Sequence, residues 1–96
     1  MQVDMSYYVY VLACIKDGEM KSFYTGLTKD LARRMREHRN NALGGKRKRY
    51  TGRFDDVELV WFKEVPTIKE AREEEKRIKG LKPAQKRRMI LDSWGK

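Results

Sequence analysis

Apolar positions fall into short runs whose spacing predicts six elements. Tyr7 to Ile15 is rich in tyrosine and valine and reads as a strand. Lys16-Asp17-Gly18-Glu19 carries the Asp-Gly signal of a tight turn, and a second strand is predicted at about Ser22 to Leu27. These two strands form a hairpin. Thr28 or Asp30 can cap a helix running to about Arg39. Asn40 to Arg53, with Gly44-Gly45 and a cluster of cations, predicts a loop. Val57 to Val65 is a third strand, and its unbroken Leu59-Val60-Trp61-Phe62 run predicts burial on both faces, hence a central position. Pro66 ends it. Thr67 with Glu70 forms a capping box that opens a helix to about Lys79. Gly80 stops that helix, and Pro83 begins a last one in its first turn. The expected architecture is α+β, ordered β-β-α-β-α-α, with three strands covered by helices in a single domain over residues 1–96, its core at about 7–91.

Charge changes the picture more than size does. The 96 residues carry 23 Lys+Arg against 14 Asp+Glu, a formal charge of +9. The excess is blocked: 10 basic and 2 acidic side chains in residues 28–53, 3 and 8 in 54–75, 8 and 1 in 76–96. Charge that only solubilises is usually interspersed, so two basic blocks point to a polyanionic partner. Neither long helix shows a wide apolar face opposed by cations, which ranks an anionic membrane below nucleic acid. Cys14 is the sole cysteine, which excludes an intramolecular disulfide and a cysteine-paired zinc site. The N-terminal residues lack the form of a signal peptide, and the longest apolar run is far short of the ~20 residues that span a bilayer. These features predict a cytoplasmic protein.

Four constellations can carry chemistry. Tyr8-Val9-Tyr10 and Tyr24-Thr25-Gly26 lie on the first two strands. Period-two alternation puts Tyr8, Tyr10 and Leu12 on one face, and the hairpin can bring Tyr10 close to Tyr24. Tyrosine is also an ordinary strand residue with a large apolar body. On the first helix Leu31, Met35 and His38 share an arc with Arg34 at its edge, while Arg33, Arg36, Glu37 and Arg39 point elsewhere. Arg34 suits a phosphate and His38 a proton or a phosphate, or the pair is a snorkelling arginine beside a packed histidine. Glu75 falls on the apolar stripe of Ile68, Ala71 and Ile78, with Glu74 at its edge. Its partner is a hard divalent cation, or else Arg72 or Lys79 within one turn. Lys46, Arg47, Lys48, Arg49, Tyr50 and Arg53 combine cations with an aromatic, matching phosphate contact with base stacking, or a solvated loop. Phosphodiester cleavage needs such a set: a base for water, cations for developing charge and a metal ligand.

The ordered set resembles a GIY-YIG nuclease domain, and most of all the small stand-alone members of that superfamily. The matching pieces are Tyr8-Val9-Tyr10, Tyr24-Thr25-Gly26, Arg34 ten residues after Tyr24, His38 four later, Tyr50-Thr51 after Gly44-Gly45, and Ala71-Arg72-Glu73-Glu74-Glu75 followed by Ile78-Lys79. The resemblance implies a three-stranded antiparallel sheet and hydrolysis of DNA phosphodiester bonds with one Mg²⁺ or Mn²⁺ held by Glu75. It implies Tyr24 as the favoured base with Tyr10 beside it, Arg34 on the scissile phosphate and His38 assisting next to it. Three departures from the pattern stand out. Tyr8 stands where the motif has glycine, Leu27 where some members have lysine, and Lys86, Arg87 and Ile90 where several branches have a late asparagine. With no second DNA-binding domain attached, the expectation is a structure-directed or weakly specific endonuclease of DNA repair or recombination. The alternative is a nucleic-acid-binding module with little or no catalysis.

Overall fold

A computed structural model describes residues 6–43 and 54–94. The elements are β1 (Tyr7–Lys16), β2 (Glu19–Thr28), α1 (Leu31–Leu43), β3 (Asp56–Val65), α2 (Ile68–Lys79) and α3 (Pro83–Trp94). Asp17 and Gly18 both take positive φ, 54° and 77°, the turn geometry that matches the twist of a two-residue hairpin. Lys16 then pairs with Glu19, and the antiparallel register runs on through Leu12↔Tyr24 and Tyr10↔Gly26. Of the two candidate caps for α1, Asp30 is the one used: its Oδ1 accepts from the Arg33 N–H at 3.1 Å. Thr28 instead accepts from the Asp30 N–H. The Thr67 hydroxyl caps α2 by accepting from the Glu70 N–H at 3.1 Å.

The sheet order is β2-β1-β3, all antiparallel, which corrects the expected central strand. β1 is central: Val9 to Cys14 are all buried, 6% exposed at most. β3 is an edge, with Leu59 37% and Phe62 53% exposed. A continuous apolar run shows that a strand is sticky on both faces, not that it has two hydrogen-bonded neighbours. Between Val11↔Trp61 and Leu12↔Leu59 the register shifts by one residue at Val60, a bulge. The bulge puts Leu59 and Phe62 on the same face as their partners Leu12 and Tyr10.

Alternation along β1 divides the core in two. Val9 and Val11 pack with Val65, Ala71, Ile78 and Ile90 under α2 and α3. Tyr10, Leu12 and Cys14 pack with Val57 on the other face, against Leu31 and Met35 of α1. Trp94 ties the end of α3 to β3 by donating from its indole N–H to the Val60 carbonyl at 2.9 Å. None of the described helices is long and apolar enough to cross a membrane.

Candidate active site

The site is built outward from Tyr10. This side chain is 1% exposed at the middle of the central strand, and Gly26 is its partner in register on β2. A Cβ at position 26 would run into the Tyr10 hydroxyl and Cζ and come within 2.9 Å of Cε1. The missing side chain therefore lets the phenol lie across β2 towards the edge of the sheet. Tyr24, two residues before Gly26, points to the same face, with ring centroids 6.3 Å apart. His38 closes over both rings, at 5.8 Å from Tyr10 and 5.0 Å from Tyr24, edge-on in each case. The Tyr10 hydroxyl and His38 Nε2 are hydrogen-bonded at 2.9 Å. The hairpin brings Tyr10 to Tyr24 as its pairing predicts, and α1 sets His38 over both rings.

Arg34, one turn before His38, is half-buried, and its Nη1 donates to Glu37 Oε1 at 3.0 Å. Glu37 is exposed, off the inward arc as the helical wheel predicts, and it reaches Arg34 along the helix surface. The i,i+3 spacing was the signal for this contact, and it steadies the guanidinium. Five donors on a guanidinium leave others for a phosphate. Burial opposes the Arg34 charge, but its contacts with Glu37 and Tyr10 outweigh that and hold it firmly protonated. Burial pushes the Tyr10 phenol up to about 12; Arg34 pulls the other way, and the charges of Tyr24 and Glu75 add to the rise. Glu75 of α2 is thus within electrostatic reach of the same hydroxyl, although it comes from the other side of the sheet.

Glu75 is 23% exposed at its side chain and pairs with Lys79 at 3.5 Å, one of the two partners its helix offered. Its neighbour is the surprise. Glu74, expected at the edge of the stripe, is the more covered at 13%, and it is held by Lys63 at 3.3 Å and Arg77 at 2.6 Å. Glu75 is therefore not the single inward-facing carboxylate; Glu74 is the one enclosed by cations, and Glu75 keeps the looser pairing. Lys46, Arg47, Lys48, Arg49, Tyr50 and Arg53 lie outside the described residues.

Among the described residues no group of three or more His, Cys, Asp or Glu side chains is placed to hold a metal. Glu75, within electrostatic reach of the Tyr10 hydroxyl, offers one carboxylate. That hard, sparse donor set suits Mg²⁺ or Mn²⁺, ions that keep several waters and take the rest of their shell from substrate phosphate.

His38 supplies a pH prediction. Burial, then the Arg34 charge, lowers its pKa to about 4, with Glu37 opposing. A histidine whose folded pKa lies below its unfolded value near 6.5 favours the fold in its neutral form. Its contribution is full above about pH 6.5 and is lost as pH falls towards 4. Urea titrations should show on the order of 2 kcal/mol lost across that window, and His38→Gln should flatten that part of the profile. An unchanged profile in the variant would assign the acid sensitivity elsewhere.

Comparison with known proteins gives the family. The GIY-YIG catalytic domain model matches residues 6–88, so the chain belongs to the GIY-YIG family, and membership points to nuclease chemistry on nucleic acid. More particularly, it is similar to UPF0213 proteins. It is 38% identical to one from Cupriavidus necator, over 91% of this chain and 86% of that protein. It is 35% identical to one from Natronomonas pharaonis, over 93% and 95%. The solution NMR structure of a UPF0213 protein from Bacillus halodurans superposes with a TM-score of 0.53 at 36% identity, covering 91% of this chain and 84% of that one.

Proposed function

We propose that this protein is a metal-dependent endonuclease that hydrolyses DNA phosphodiester bonds in the cytoplasm, structure-directed or weakly specific, in repair or recombination. The observation that carries the reading is the meeting of Tyr10, Tyr24 and His38 at 5.0–6.3 Å with Arg34 and Glu75 acting on one hydroxyl.

The two phenols take different parts. Tyr10 is enclosed and strongly protonated at neutral pH. With Arg34 directed at its oxygen, it donates to His38 Nε2 and serves to orient its neighbours. His38 is neutral at pH 7 and acts as an acceptor, its Nδ1 carrying the proton. Tyr24, the less enclosed phenol, is the base that takes a proton from the attacking water. Arg34, held by Glu37, faces the scissile phosphate and stabilises charge developing on its oxygens. Glu75 would hold Mg²⁺ or Mn²⁺, which when bound supplies Lewis-acid stabilisation of the phosphate.

The test is incubation with Mg²⁺ or Mn²⁺ and a panel of forked, flapped and single-stranded DNAs. Nicking that Tyr24→Phe abolishes is the expected result. Nicking that survives Tyr24→Phe overturns that assignment, and salt-sensitive binding without any nicking favours the non-catalytic binding module.

A further inference from the structure

Away from the tyrosines, the start of β2 and the first turns of α3 enclose a cleft of about 270 Å³. Its charged lining is Lys21, Lys86 and Arg87, with no carboxylate, and Phe23 and Pro83 form part of the wall. Lys21 is held by Glu19 at 2.8 Å. Among the described residues Lys86 and Arg87 make no ion pair, and the single acid of α3 is Asp92, more than one turn beyond them. Lys86 is half-buried, so its stem is positioned by the fold. Two uncompensated cations aimed at one concavity cost repulsion unless an anion lies between them.

The place of the cleft selects the anion. Its β2 wall ends at Phe23, the residue before Tyr24. It opens on the face covered by α2 and α3, the face from which Glu75 approaches. From Lys21 to Tyr24 is three strand residues, about 10 Å, close to the rise of about three nucleotides along one DNA strand. A strand lying along β2 with one phosphate at Arg34 would bring a phosphate about three nucleotides away to the cleft.

We infer that the cleft lined by Lys21, Lys86 and Arg87 binds non-scissile phosphates of the DNA strand being cut, and so sets the strand's path along β2. The inference rests on the nuclease reading above.

The experiment measures binding of the full chain to fluorescein-labelled forked DNA by anisotropy, in EDTA, over a series of salt concentrations. Lys86→Ala/Arg87→Ala should lower the log–log salt slope by about 1.5, at roughly 0.7–0.9 per phosphate contact. Lys86→Arg/Arg87→Lys should retain it. In cleavage assays the alanine pair should raise KM and leave kcat near the wild-type value. Arg87→Glu, at an exposed position, repeats the binding test should the double variant melt early. A slope and affinity unchanged by both charge-removing variants, while the wild type binds and cuts, overturn the cleft alone. Weakened binding of inorganic phosphate with DNA affinity intact also overturns it. A wild type that neither binds nor cuts DNA overturns the nuclease reading together with the cleft.

Discussion

Glu75→Ala is expected to lose at least about 10³-fold in cleavage, or about 4 kcal/mol of transition-state stabilisation, while its melting temperature stays close to wild type. The fold offers little to lose at this position. Glu75 is part-exposed, and its ion pair with Lys79, the one it makes among the described residues, is a loose i,i+4 contact at 3.5 Å. Such pairs contribute about 0.3–0.5 kcal/mol, and the higher helix propensity of alanine offsets part of that. Structural and catalytic roles therefore separate cleanly. Glu74→Ala should behave in the opposite way, since it strips two cations of a covered partner. If Glu75→Ala cuts DNA at the wild-type rate, the metal assignment is wrong.

Gly26→Ala is expected to damage both stability and activity, although it adds one methyl group. The new Cβ would occupy space held by the Tyr10 ring end. A ring tip can swing aside cheaply at a surface, but this one is enclosed and pinned to His38 at 2.9 Å. Overpacking of that kind costs about 1–3 kcal/mol, and the displaced hydroxyl takes the orientation of His38 with it. The cause can be isolated by a double-mutant cycle in urea. In a Tyr10→Val background the ring is gone, so Gly26→Ala should be nearly silent, giving a coupling of at least about 1 kcal/mol. Additive costs would show that the glycine answers to the backbone of β2 and not to Tyr10.

Much of this was legible in the chain. Asp17-Gly18 set the hairpin, the hairpin and alternation set Tyr10 against Tyr24, and the helical wheel turned His38 and Arg34 inward. Each of these depends on local geometry with a fixed period, so sequence spacing carries it. What was misread depends on partners distant in sequence. The run Leu59-Val60-Trp61-Phe62 looked central, yet β1, with its tyrosines and its small Ala13 and Cys14, holds that place. Hydrophobicity reports how much surface a strand wishes to bury, whereas strand order depends on which edges find hydrogen-bond partners. The ranking of Glu74 and Glu75 failed for a similar reason, because Lys63 covers Glu74 from β3, eleven residues away.

By itself, then, the sequence determined the six elements, the faces taken by Tyr10, Tyr24 and His38, and a charge pattern that calls for a polyanion. Those are consequences of 3.6 and 2.0 periodicity, of capping and turn chemistry, and of net charge. Only the tertiary structure decided that β1 lies between its neighbours and that Gly26 makes room for the Tyr10 ring. It also decided that Glu75 comes within electrostatic reach of the Tyr10 hydroxyl from across the sheet, and that α3 brings Lys86 and Arg87 to the start of β2. Each of these is a meeting of segments far apart in the chain, set by how the layers pack and by what covers each side chain from water.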